Sequence, residues 1–215
     1  MIRRLGVLLM SGVLMACAAG NRHRYDDVVA TVQYSATESI VVATVDQRPY
    51  VLKHDKTAQF VGLSRGGYGN PFDITTDSGK PLSDDVTHAT AASLRAKGFD
   101  VAEVHTEVGD APTNAVQALQ ASGKPRGIVI VLREWKSDTY GGTALIYDAS
   151  LTVYDHAGVA LAAASIHGRD DLGGNALTTL NPPAHAKQVI PPAFKAKLEQ
   201  LLNDASVQAA LVGAG

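Results

Sequence analysis

Apolar and polar positions alternate with two different periods along this chain, and the changes of period mark its elements. Ser39–Val45 reads Ser-Ile-Val-Val-Ala-Thr-Val, a β-branched run that predicts the first core strand. Asp46-Gln-Arg-Pro49 ends it, because a proline restricts both itself and the residue before it. Tyr50–Leu52 and Gln59–Leu63 read as two short strands of a hairpin, with the polar stretch 54–57 between them, and Ile74–Thr76 as another short strand. From Pro81 to Lys97 the period becomes helical. Leu82, Val86, Ala89 and Leu94 form one stripe, Ser83 or Asp84 suits the N-cap, and Gly98 suits the position just past the end. Phe99–Val104 alternates and predicts the second core strand, and Thr113–Ser122 a second helix ended by Gly123.

Gly127–Leu132 is apolar on both faces, as a central strand must be, and turns amphipathic from Arg133 through Trp135 to Tyr140. After the Gly141-Gly142 turn, Thr143–Tyr154 alternates, with Leu145, Tyr147, Ala149, Leu151 and Val153 on one face. Asp155–Gly158 predicts a tight turn into a partner strand, Val159–Ile166. Residues 170–185 are rich in Gly, Asn and Pro and read as a loop. Pro191 and Pro192 then open a helix carrying Phe194, Leu198, Leu201 and Leu202, and Ala205 onward reads as one last turn. The predicted order is βαβαβββα. Strand–helix–strand units make parallel crossovers and the last three strands are antiparallel, so the fold class is α/β (α+β), a single mixed β-sheet with helices packed on it.

The first residues follow different rules. Arg3 and Arg4 precede an apolar run, Leu5–Leu14, that is too short for a comfortable membrane span and has the layout of an export signal. It ends in Leu14-Met15-Ala16-Cys17, which resembles the lipobox of bacterial lipoproteins. The resemblance implies that 1–16 is a signal peptide and that Cys17 is lipidated with a diacylglyceryl group. The freed amine would then be acylated, typically with palmitate. Two or three chains make a stable anchor, since one alone is marginal. Ala18 after the cysteine resembles the outer-membrane sorting pattern, which places the protein on the inner leaflet facing the periplasm. Residues 17–38 read as a lipidated tether with a short edge strand, and 39–215 as one periplasmic domain.

Composition sharpens this. Cys17 is the only cysteine, so no disulfide can form within the chain. Two of the 19 basic residues lie in the leader, which leaves 17 against 21 acidic side chains in the remainder. That balance, with no basic run, argues against a nucleic-acid partner.

The lipobox, the strand ending Asp46-Gln-Arg-Pro49, the glycine turn Arg65–Asn70 and the helix ending Leu94-Arg-Ala-Lys-Gly-Phe99 look like YajG-type envelope lipoproteins. The layout is similar to a wider group that includes the TolB N-terminal domain and penicillin-binding-protein activator lipoproteins. The resemblance covers most of the chain after Cys17 in layout and short stretches in residues. It implies a non-catalytic module that binds other envelope proteins or itself. The long excursion from Pro49 to Pro81 departs from that group.

Catalytic chemistry finds little footing. Gly62-Leu-Ser-Arg-Gly66 matches the hydrolase elbow motif with Ser64 as nucleophile, but the elbow needs a helix directly after the serine and Gly67–Pro71 cannot start one. Arg65–Asn70 lacks the Lys-Ser/Thr pair and following helix of a phosphate loop. No two histidines stand at metal-binding spacing, and Asp170-Asp171 lacks a Ca²⁺ loop pattern, so no metal or cofactor is expected. What remains is surface. Arg48, Tyr50, Arg65, Tyr68 and Phe72 fall in one loop-rich region, with Trp135 and Tyr140 past the apolar part of their strand. Arg, Tyr and Trp are the residue types that anchor interfaces. They are the candidate partner-binding residues, for an envelope protein or for self-association through sheet edges. The alternative is carriage of a lipid or other apolar ligand between helices and sheet, in room left by Ala160 and Ala162–Ala164.

Overall fold

The structure is a computed structural model and describes residues 21–66, 68–174, 179 and 181–213. The expected signal peptide, lipobox and lipidation at Cys17 all fall outside the described residues. The described chain runs β1 (Arg22–His23), β2 (Ser39–Asp46), α1 (Pro49–Leu52), β3 (Phe60–Arg65), β4 (Pro71–Thr76), α2 (Leu82–Arg95), β5 (Asp100–Val104), α3 (Pro112–Ala121), β6 (Arg126–Thr139), β7 (Thr143–Asp155), β8 (Ala160–Asp171), α4 (Pro182–Leu202) and α5 (Ala205–Val212). The expected βαβαβββα order is present as β2-α2-β5-α3-β6-β7-β8-α4 in one mixed sheet, with the Pro49–Pro81 excursion adding α1, β3 and β4.

The sheet is organised by β6. Along one side it pairs antiparallel with β7 over its whole length, and β7 pairs with β8. Along its other side it changes partner. Residues 126–132 pair parallel with β2, which pairs with β5, whereas Ser137–Thr139 pair parallel with β3, which leads to β4 and β1. The sheet therefore forks. A bulge between Leu132 and Glu134 sits at the fork, and the extra residue bends the strand there. It also shifts the alternation. Ile128, Ile130 and Leu132 face the main core before the bulge, and Trp135 and Ser137 take the same side after it, paired with Tyr147 and Leu145. Beyond the fork β3 lies close to β6. A Cβ on Gly62 would come 2.1 Å from the Ser137 Oγ, so only glycine fits.

Helices cover the two faces unequally. α2, α4 and α5 share the main core, with Leu82, Val86, Ala89 and Leu94 as the predicted α2 stripe and Phe194, Leu198 and Leu201 from α4. On the opposite face Ala115 and Leu119 of α3 cover Val41, Ala43, Val45 and Val129. A Trp135, Tyr25, Phe194 cluster with edge-to-face rings fills the centre of the main core.

Four expectations are corrected. From Asn21 the segment before β2 is no tether. Tyr25, Val28, Ala30, Val32 and Tyr34 are buried and alternate with exposed residues, so 25–34 is an extended strap across the main core. Side chains rather than a strand hold its backbone. Ser93 accepts from the Ala30 N–H, Glu199 from Thr31 and Asn203 from Gln33, each at 2.8 Å, while the Tyr34 hydroxyl donates to the Leu202 carbonyl. The edge strand is β1, at 22–23. Tyr50–Leu52 is not a strand, because Pro49 at the first position nucleates one helical turn, α1, and the hairpin forms between β3 and β4 instead. α4 starts at Pro182, not Pro191. Asn181 caps it by accepting from the Ala184 N–H, which leaves Pro191 and Pro192 inside the helix and shortens the predicted loop. Finally, α5 is a full helix, capped by Asp204, whose Val207 and Leu211 are buried.

Candidate functional site

The candidate residues separate into two groups. The first plugs the fork. Arg48 is fully buried, and so is Asp46. The guanidinium meets Asp46 in two parallel bonds, Nε to Oδ1 at 2.8 Å and Nη2 to Oδ2 at 2.6 Å. Its remaining donors reach the carbonyls of Phe60, Ala58 (3.0 Å) and Trp135 (3.4 Å), which lie where β6 passes from β2 to β3. Burial alone would disfavour the charge, but Asp46 outweighs it and holds the Arg48 pKa above its ordinary value. The Tyr50 hydroxyl donates to Glu134 Oε1 (2.7 Å) and approaches the Trp135 carbonyl (3.1 Å). Trp135 itself is 2% exposed. Arg48 and Trp135 are therefore not surface anchors, and Tyr50 is largely covered. The reason is geometric, since a forked sheet leaves carbonyls without ladder partners and buried carbonyls need donors.

The second group lies at the β6–β7 hairpin tip. Arg65, the last residue of β3, makes a bidentate pair with Asp138 of β6, both bonds 2.9 Å, and both side chains are partly exposed. Beside them is an open cleft of about 540 Å³ lined by Arg65, Asp138, Tyr140, Thr143, Arg169 and Asp171, with glycines at its rim. The strand register explains the depression. Asp138, Ala144 and Asp171 lie in one row across β6, β7 and β8, and the small Ala144 stands between two longer side chains. Tyr140 is 55% exposed, and Tyr68, on the β3–β4 turn, is fully exposed. Phe72 pairs with Ser64 and is half-buried, on the other side of the hairpin from Arg65. Of the predicted set, the structure thus brings Arg65 and Tyr140 into one cleft, leaves Tyr68 prominent on the turn after Arg65, and separates Phe72, Arg48, Tyr50 and Trp135 from them.

Asp138, Arg169 and Asp171 escaped sequence reasoning. They sit on β6 and β8, with β7 between, and their meeting depends on the register of those three strands, for which the sequence carries only the Gly141-Gly142 turn as a signal. Asp170 and Asp171 open the stretch expected as a loop, but the strand extends through both. They stand on β8 and diverge, Asp170 towards Lys197 and the Tyr147 hydroxyl, Asp171 towards the Gly173 N–H. Lys197 holds the Asp170 carboxyl below its usual range.

Other polar groups complete the electrostatics. His23, buried against Ser137 (Nε2 to Oγ 3.0 Å), has its pKa pushed down to about 4 by burial. Asp85, at the start of α2, is buried and bonded to the Ser78 hydroxyl, and burial lifts its pKa to about 6. On the surface between α2 and β5, His105 contacts Asp84 (2.7 Å) and His88 contacts Glu103 (3.2 Å), and Asp84 raises the His105 pKa.

Ser64 stands within a strand that leads through the 66–70 turn into β4, with no helix following, so the strained elbow is not built. Among the described residues no group of three or more His, Cys, Asp or Glu side chains is arranged to hold a metal ion. The cavity between α4 and the sheet is about 10 Å³, where a small-molecule site needs a few hundred. Among the described residues no helix is long and apolar enough to cross a membrane.

No family model and no curated protein sequence matches the chain. A solved structure shares the fold. Protein XCC0632 from Xanthomonas campestris, of the family DUF330, superposes with a TM-score of 0.56 at 11% identity, covering 89% of this chain and 96% of that one. Weaker likenesses are to a PelC dodecamer from Paraburkholderia phytofirmans (TM-score 0.39, 12% identity, 82% and 96% covered) and to lipoprotein GNA1162 from Neisseria meningitidis (0.27, 12%, 74% and 98%). At these identities the likeness to XCC0632 defines the fold class alone.

Proposed function

We propose that this chain is a YajG-like envelope lipoprotein, anchored through lipid on Cys17 to the outer membrane and facing the periplasm. There it acts as a non-catalytic module that binds an envelope protein through the hairpin tip. The observation that carries the binding role is the tip itself. An exposed Tyr140 lines an open cleft beside a partly exposed Arg65–Asp138 pair, and a fully exposed Tyr68 stands on the β3–β4 turn that follows Arg65. Aromatic and arginine side chains presented at a concave surface are what protein interfaces use as anchors. The export and anchoring role rests on the residues before the described chain, Arg3–Arg4, the apolar run and Leu14-Met15-Ala16-Cys17.

The test is pull-down of the full-length protein from envelope extract. Arg65→Ala/Tyr68→Ala is expected to lose the partner while the protein remains folded, and an unchanged partner set would overturn the role of the tip. Cys17→Ala is expected to leave the membrane fraction, and unchanged fractionation would overturn the anchor. Self-association is a second reading, favoured by β8, twelve residues long, which pairs with β7 and presents its other edge. Light scattering that returns a strict monomer removes it.

A further inference from the structure

The distance from the lipid to the fold is short, and that decides which face meets the membrane. Cys17 and Asn21 are four residues apart, and a chain extends at most about 3.3–3.6 Å per residue, so the fold begins within about 14 Å of the acylated residue. There is no slack after Asn21, because Arg22 and His23 are already paired with Thr75 and Thr76 of β4 and Tyr25 is fully buried. Beside this entry point, between residues 24–29 and α4, runs an open groove of about 510 Å³ lined by Arg24, Asp27, Val29, Lys187, Pro191 and Lys195.

Its chemistry has two parts. Among the lining residues Arg24, Lys187 and Lys195 outnumber Asp27; just outside it Arg22 adds a positive charge at the entry point and Asp26 and Glu199 add negative ones, so four basic side chains face three acidic ones. Arg24 is exposed and only loosely paired with Asp27 at 3.4 Å, while Lys195 is engaged by Glu199. Lys187 is exposed and near enough to His23 to disfavour its protonation. Val29, 46% exposed, and Pro191 supply apolar surface at the same place. In a chain whose acidic residues outnumber its basic ones after the leader, a locally basic groove at the point of attachment matches the negative surface of a phospholipid bilayer.

We propose that this groove is the membrane-facing surface of the protein, with Arg24 and Lys187 set against the phosphates of anionic phospholipid headgroups and Val29 at the interface. This rests on the reading of Cys17 as the acylated residue. The fold is then held flush against the bilayer in one orientation, with α3, on the opposite face of the sheet from α4, turned away.

The test uses the full-length lipidated protein reconstituted into vesicles of phosphatidylethanolamine with phosphatidylglycerol, and of phosphatidylcholine alone. Lipid occupies the only native cysteine, so Gln188→Cys on the groove wall and Gln117→Cys on α3 each give one thiol for a fluorophore. Headgroup-labelled lipid is the quencher. The expected result in anionic vesicles is quenching several-fold stronger at position 188 than at 117, with the difference shrinking in high salt and in Arg24→Glu/Lys187→Glu. Equal quenching at both positions overturns the orientation. Equal selectivity for position 188 in neutral vesicles overturns the role of anionic headgroups. Failure of the wild-type chain to float with vesicles, together with labelling of Cys17 itself, overturns the anchor and the inference with it.

Discussion

The molecule contains two arginine–aspartate pairs of nearly the same geometry in opposite surroundings. Arg48 and Asp46 are buried at the fork, and Arg65 and Asp138 are partly exposed at the hairpin tip. Both are bidentate, with contacts between 2.6 and 2.9 Å. The first has three carbonyls to serve besides its carboxylate, and with no solvent to substitute for them it acts as an internal part of the sheet. The second has solvent and an open cleft beside it, so its bonds can be exchanged for those of a partner. The bond pattern is the same and the surroundings set the role.

The largest effect expected from breaking this comparison is at the fork. Arg48→Ala leaves Asp46 buried without its counter-charge and should cost about 3–5 kcal/mol in chemical denaturation. Arg48→Lys should recover only part of that, since an ammonium cannot face Asp46 bidentately while reaching the carbonyls of Phe60 and Ala58. A loss below about 1 kcal/mol for Arg48→Ala would show that the fork does not depend on the pair.

A smaller effect should appear with pH. His23 stays neutral in the fold down to about 4, whereas its ordinary value is 6.5. Between these values the unfolded chain binds a proton that the fold refuses, so stability falls as pH drops from about 6.5 to about 4, by roughly 3 kcal/mol. Asp85 works in the other direction. Its folded pKa of about 6 means the fold holds a proton that the unfolded chain releases, so its contribution is lost as pH rises from about 3.8 to about 6. His23→Gln should therefore lose less stability than wild type between pH 7 and pH 4, and Asp85→Asn should lose more. Urea titrations at the two pH values give both numbers, and parallel behaviour of the two variants would refute the assignment.

At the tip the effect on stability should be the smallest. Arg65→Ala or Asp138→Ala should shift unfolding by less than about 1 kcal/mol, as exposed ion pairs do. A double-mutant cycle on the two positions measures the coupling, and a value approaching that of the fork would make the tip a structural element too.

The same contrast explains what the sequence disclosed. The α2 stripe, the β7 alternation and the apolar run of β6 are local patterns, and each appears where its period predicts. The Asp46-Gln-Arg-Pro49 break was visible, but its meaning was not. Arg48 is buried because β6 changes partners eighty residues or more further on, and nothing near Arg48 encodes that. The strap was missed because residues 25–34 carry polar side chains between Tyr25, Val32 and Tyr34 and find their backbone partners on Ser93, Glu199 and Asn203, far away in sequence. Arg65, Tyr68 and Tyr140 were legible at the tip because a glycine turn exposes its neighbours, whereas Asp138, Arg169 and Asp171 needed the register of three strands.

Under the proposed role, the tip and not the rest of the surface engages an envelope protein. Site-specific photo-crosslinking in living cells tests it most directly, with the crosslinker at position 68 on the tip or at position 117 on α3. A discrete protein adduct is expected from position 68, lost in Arg65→Ala, and none from position 117. The same adducts from both positions, or an adduct from 117 alone, would contradict it.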